Sequence, residues 1–329
     1  MRVLIIGRSR ATSVESSIYR ALVRAGHTAA LVDDRKLDRW LGRRIGHAWL
    51  RARVRAFGPD RLLLFKPEDV SLDVLAQLCR EVRASMWYRD LRIPPEPALV
   101  ERARYAEVLF LTAGGQAPDW EARGARRACF LPNAADPALD RPTRALPELE
   151  CDVAFIGRGY DETRAAFLCR LARRFRVRVF GQGWGAWARE LNWGGGAVYG
   201  RDFARVCASA KIVLDIHPEF QVRTPVWGYH SARPARVLAC GGFYLGHATP
   251  GSRELFADGG HCGWYDDEED ASVQIERYLG DDGARADIRA QGRAFVLAHH
   301  TFERRLRNLL AGEPWRNPLK PEMPSPAQP

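Results

Sequence analysis

Short apolar runs rich in Val, Ile, Leu and Phe alternate with stretches of helical period along almost the whole chain. The runs are Met1 to Gly7, Ala29 to Val32, Arg61 to Phe65, Ala84 to Tyr88, Tyr105 to Thr112 and Arg127 to Leu131, then Cys151 to Ile156, Val177 to Phe180, Lys211 to Ile216, Phe243 to Leu245 and Trp264-Tyr265. Strands apolar on both faces need cover on both sides, and strands joined through a helix run parallel. The pattern therefore predicts an α/β protein of parallel sheets sandwiched between helices.

The opening segment sets the style. A helix is expected from Val14 to Ala25, with Ile18 and Leu22 on one face, Thr12 and Glu15 as a capping box and Gly26 as its stop. No Gly-x-Gly-x-x-Gly follows the first strand, so a dinucleotide fingerprint is unsupported, and Asp33 reads as a strand-terminating acid. Trp40 to Phe57 reads as an arginine-rich amphipathic helix, for which a solvated outer face is the commoner fate and a membrane-surface contact the alternative. From Asp136 to Glu150 proline and charge replace apolar period. The chain is accordingly divided into a first domain (1–140), a linker (141–150), a second domain (151–312) and a proline-rich tail (313–329) expected to lack fixed structure.

With 329 residues and 46% hydrophobic content, the chain is long for one compact core, and two domains are the natural reading. The net charge of +10 invites nucleic acid, yet only four of the fifty basic residues are lysine and arginine is spread through every segment. Such a bias argues for general attraction to anionic ligands before any nucleic-acid track, which stands as a lesser alternative. Seven cysteines, never spaced Cys-x-x-Cys, indicate neither a disulfide framework nor a zinc site and suit a reducing cytoplasm. The acids of Asp266 to Asp270 are explained by the first turn of a helix and not by a metal.

The candidate chemistry gathers in Ser231-Ala232-Arg233-Pro234-Ala235-Arg236-Val237-Leu238-Ala239-Cys240-Gly241-Gly242. Proline at a helix start and glycine just past its end make Pro234 to Cys240 a two-turn helix closed by Gly241. Arg233 and Arg236 lie three residues apart beside free backbone N–H groups, a concentration of positive charge that calls for an anion, with a phosphate or diphosphate as the expected ligand. Two solvated arginines are the plain alternative. Glycine loops at Gly157 and at Gly181 to Gly185 follow predicted strands, where open α/β sheets place ligands. Trp184 in the second loop is either a stacking platform or a core tryptophan.

Taken in order, Phe155-Ile156-Gly157, Phe180-Gly181-Gln182-Gly183-Trp184, Lys211 to His217, Ala239-Cys240-Gly241-Gly242, Glu254 to Gly259 and His300-Thr301-Phe302 resemble the CgeB-like glycosyltransferases, a GT-B family related to spore maturation proteins. The resemblance spans Cys151 to Leu310 and weakens before it. It implies two Rossmann-like domains facing each other across a cleft, a nucleotide-sugar donor on the second and an acceptor, undefined here, on the first, with no cofactor and no required metal. Carried onto this sequence, the donor site would comprise Gly157, Arg158, Gly181, Gly183, Trp184, His217, Ser231, Arg233, Arg236 and Gly241. For an inverting reaction the base would come from the first domain, with Asp90 as candidate and His27 in reserve. One departure stands out. Members of the family carry Arg-x-Phe-Glu before the Ala-Cys-Gly, the glutamate holding donor ribose hydroxyls, whereas this chain keeps Arg233 but has Ala235 and Arg236 in place of the aromatic and the glutamate. A catalytically silent nucleotide or glycan binder is the alternative that this departure raises.

Overall fold

The structure, a computed structural model, describes residues 1–320 and separates into two compact units, 1–133 with the segment from Phe302, and 134–301.

The first unit holds β1 (Arg2–Ile6), α1 (Val14–Arg24), β2 (Thr28–Val32), α2 (Asp34–Phe57), β3 (Arg61–Leu64), α3 (Leu72–Glu81), β4 (Ala84–Tyr88), α4 (Pro97–Ala103), β5 (Val108–Leu111), α5 (Ala117–Ala122) and β6 (Ala128–Phe130). The strands form one parallel sheet in the order β2-β1-β3-β4-β5-β6. Local chemistry sets the boundaries. The Ser13 side chain, not Thr12, caps α1 by accepting from the Ser16 N–H, and the Asp33 carboxylate caps α2 by accepting from the Lys36 N–H. Helix α2 starts earlier than its period suggested and is interrupted at Gly42, whose φ of 71° lies outside helical space.

A helix at Phe302–Ala311 completes this unit. It packs on α1, with Phe302, Leu306 and Leu309 buried and Glu303 paired with Arg24. The expected second domain of 151–312 therefore loses its last helix to the first unit. The buried Arg305 donates through Nε to the Pro132 carbonyl at 2.8 Å and stands over Trp315, which also packs edge-on against Phe130. Burial brings the Arg305 guanidinium down to about 9. The start of the expected structureless tail is thus anchored by a core aromatic, while residues 321–329 lie outside the described residues.

The second unit holds β7 (Cys151–Ile156), α6 (Glu162–Ala172), β8 (Val177–Phe180), α7 (Gly200–Ser209), β9 (Ala210–Asp215), α8 (Glu219–Arg223), α9 (Arg233–Ala239), β10 (Tyr244–His247), α10 (Ser252–Leu255), β11 (Gly263–Tyr265), α11 (Glu268–Leu279) and α12 (Asp282–His299). Its sheet is also parallel, in the order β11-β10-β9-β7-β8. The chain moves from β7 outward to β8, then crosses back so that β9 pairs on the other side of β7. The short helix α8 lies between β9 and Ser231. Asp267 caps α11 and its first turn carries Glu268, Glu269 and Asp270, as the dipole argument requires.

Candidate active site

The order of the second sheet reverses between β7 and β9, and reversals of this kind leave a crevice between diverging loops at the carboxyl ends of the strands. A pocket of about 240 Å³ opens there. Gly157 and Arg158 line it after β7, Gly181 and Gln182 after β8, and Ser231, Arg233 and Arg236 from the start of α9. Ile156, Phe180, Tyr199 and Phe203 supply its apolar walls.

The two glycine loops are packed backbone to backbone. The Gly157 N–H donates to the Phe180 carbonyl at 2.8 Å and the Gly159 N–H to the Gln182 carbonyl at 2.9 Å. A methyl group at Gly181, where φ is 141°, would lie 2.0 Å from the Gly157 carbonyl oxygen, so only glycine permits this approach. Trp184 is fully buried, donates its indole N–H to that same carbonyl at 2.8 Å and stands edge-on to Phe155. It holds the loops from behind. The stacking role expected as one alternative for Trp184 is thereby corrected, because its ring has no open face. Gly183, at φ 86°, shapes the same turn without lining the pocket, and Gly241 closes α9 at φ 74°, its carbonyl accepting from Arg289 Nε at 2.6 Å.

The two arginines do not wait for an outside anion, since each has a carboxylate from the chain. Arg233 is ion-paired with the buried Asp215 at the end of β9 and lies 5.3 Å from the Phe155 ring centroid. Asp215 further accepts from the Ser231 hydroxyl at 3.2 Å and from the Tyr244 hydroxyl at 2.8 Å. Burial pushes the Asp215 carboxyl up, but Arg233, His217, the Tyr244 hydroxyl and Arg164 outweigh it and hold the group at about 2. Arg236 donates through Nε to Asp140 at 2.9 Å and sits 4.3 Å above the Phe203 ring. Burial raises the Asp140 carboxyl, opposed by Arg236. Each pairing uses one edge of a guanidinium that carries five N–H donors, so both arginines keep donors at the pocket while their positions are set from behind.

Asp140 and Asp215 are the site residues that the sequence reading missed. Asp140 fell in the stretch read as leading into a linker, although residues from Ala134 onward belong to the second unit. The available signal for Asp215 was a lone acid ending an otherwise apolar strand.

The remaining candidates lie elsewhere. His217 faces a separate recess of about 240 Å³ with Arg164, Phe167, His247 and Tyr265, its Nδ1 2.8 Å from Gln221 Oε1, and burial lowers its imidazole. Asp90, just past the carboxyl end of β4 in the first unit, is exposed and paired with Lys66. His27 sits in the turn between α1 and β2, with Nδ1 3.4 Å from the Met1 amino group. That is the amino end of the strands, opposite to where open α/β sheets present ligands, so the reserve role of His27 as a base is corrected.

Solved structures repeat this architecture over nearly the full chain. HepE of Anabaena in complex with UDP matches with a TM-score of 0.65 at 12% identity, covering 95% of this chain and 100% of its own. Sucrose-phosphate synthase of Thermosynechococcus elongatus matches at 0.67 and 14%, with the same coverage, and a glycosyltransferase of Rickettsia africae at 0.64 and 10%, covering 94% and 97%. The chain has the GT-B glycosyltransferase fold. Within it, residues 163–311 match the model of a family described as glycosyl transferase-like. That match takes in Ser231, Arg233 and Arg236 of the GT-B second unit but not Gly157 or Arg158. No curated protein matches the chain by sequence.

Proposed function

We propose that the protein is a glycosyltransferase that moves a sugar from a nucleoside-diphosphate donor to an acceptor, in the manner of CgeB-like enzymes, with the donor seated in the second-unit pocket. The observation that carries this reading is the convergence of Arg158, Arg233 and Arg236 on the Gly157 and Gly181 loops, at the reversal point of a parallel sheet. Backbone stripped of side chains lets a diphosphate approach, and forked guanidinium donors meet its oxygens. Apolar walls from Phe180, Tyr199 and Phe203 suit the flat face of a base or the ribose. HepE, which shares the fold, has been solved with UDP and with UDP-glucose, and this supports a uridine nucleotide as the first donor to try. On this reading the arginines meet the diphosphate charge without a metal, so chelation with EDTA should leave turnover intact.

Arg158 is the cleanest probe, because it is exposed and its loss strands no buried carboxylate, whereas loss of Arg233 would leave Asp215 uncompensated. Arg158→Ala should weaken UDP binding by about 1.5–3 kcal/mol, the worth of a charge-assisted hydrogen bond, as read by calorimetry. Wild type that binds no nucleoside diphosphate would overturn the proposal. The arginine at the position of the family glutamate favours a second reading, a binder without turnover. UDP binding with no donor hydrolysis and no transfer across a panel of nucleotide sugars selects it.

A further inference from the structure

Helix α2 carries a second kind of surface, in the first unit and apart from the pocket. In its longer arm, after Gly42, the residues Gly46, Leu50, Val54 and Phe57 are buried, so this edge faces the core. At about 100° per residue, Ile45, Ala48, Trp49, Ala52 and Ala56 form a stripe on the outward side, with Trp49 at its edge. All of these are exposed, as are Trp40 and Leu41 just before the break. Ile45 is 63% exposed, Trp49 43% and Trp40 72%, large apolar groups that a solvated helix would turn inward.

Charge brackets this stripe. Arg44, Arg51 and Arg55 run along one side of it and Arg53 along the other. From Asp34 to Phe57 there are eight Arg and Lys residues against two Asp. One of those acids, Asp34, is buried, and the other, Asp38, lies 3.9 Å from Arg43. Among the described residues no ion pair engages Arg44, Arg51 or Arg55, and Arg44 and Arg55 are exposed while Arg51 is half-buried. An apolar stripe of tryptophan and isoleucine between rows of arginine matches a surface with an apolar interior and anionic headgroups, and no helix among the described residues is long and apolar enough to span a bilayer.

We infer that α2 is a docking face for an anionic lipid bilayer, with Trp40, Ile45 and Trp49 entering the headgroup region and the flanking arginines meeting lipid phosphates. The inference is independent of the donor pocket and stands or falls without it.

The test is flotation of the full chain with vesicles of phosphatidylcholine alone and with phosphatidylcholine containing phosphatidylglycerol. Wild type should float with the anionic vesicles, hardly at all with the neutral ones, and less in high salt. Ile45→Ser with Trp49→Ser should lower the partition at least tenfold. Arg44→Ser, Arg51→Ser and Arg55→Ser should each lower it about fivefold, which is what roughly 1 kcal/mol per basic residue amounts to. Arg44, Ile45, Trp49 and Arg55 are exposed and Arg51 is half-buried, and unchanged thermal melting checks that each variant folds. Wild type that ignores anionic vesicles, or variants that float as well as wild type, overturn the inference. So does self-association abolished by Ile45→Ser with Trp49→Ser, or RNA binding through the same arginines, when lipid binding is absent.

Discussion

At the scale of single residues, the site depends on carboxylates that touch no ligand in the proposed reading. Asp215 holds Arg233 at the pocket, and its depressed titration makes it an acid-sensitive support. A folded-state value of about 2 against an ordinary 3.8 means the unfolded chain binds the proton more tightly. The contribution is complete above about pH 4 and is lost as the pH falls toward 2, on the order of 2 kcal/mol in all. Chemical denaturation across that range should show stability of the second unit falling in wild type, with a shallower fall in Asp215→Asn. Equal slopes would contradict the assignment. The sequence could suggest that Arg233 needs an anion, since the spacing of two arginines is a local fact. It could not show that Asp215 answers the need, because the pairing is made by folding β9 against α9.

At the scale of elements, the strands were largely legible and the joints between them less so. Ala84–Tyr88, Cys151–Ile156 and Val177–Phe180 were read to the residue, because apolar β-branched and aromatic runs bounded by polar residues leave little choice. The segment after Asp136 was misread for the converse reason. Proline and charge look like solvent-exposed linker, yet the Asp136 N–H donates to the Asp140 carboxylate at 3.0 Å and both acids are buried. The partner that justifies the burial of Asp140 is Arg236 on α9, far along the chain. This pairing also changes what an Arg236→Glu exchange would do. A glutamate at position 236 alone would set two carboxylates against each other. It should cost about 3–5 kcal/mol, the usual effect of breaking a buried pair. Adding Asp140→Asn should recover most of that loss, since the amide can donate to the new carboxylate. A double-mutant cycle by denaturant unfolding reads the coupling, and strictly additive effects would show that the two side chains act independently.

At the scale of the whole molecule, the two-unit parallel α/β plan followed from the rhythm of the sequence, but the ownership of the last helix did not. Its apolar period is equally suited to either sheet, and only contact with α1 decides. Leu309→Ala in that helix should therefore cost about 2–5 kcal/mol in the first unit, as buried leucine truncations do. Differential scanning calorimetry should show the first unit melting earlier while UDP affinity, assigned to the second in the proposed reading, is unchanged. A matching loss of UDP affinity would place the helix with the other unit. The same feature has a consequence for how the protein is made. Residues 134–301 lie between the body of the first unit and its final helix, so a ribosome completes every part of the second unit before it supplies Phe302. At about 5–20 residues per second, that gap is on the order of ten seconds or more. The part of the chain synthesised first is thus finished last, with the face of α1 that Phe302, Leu306 and Leu309 cover left bare in the nascent chain until then.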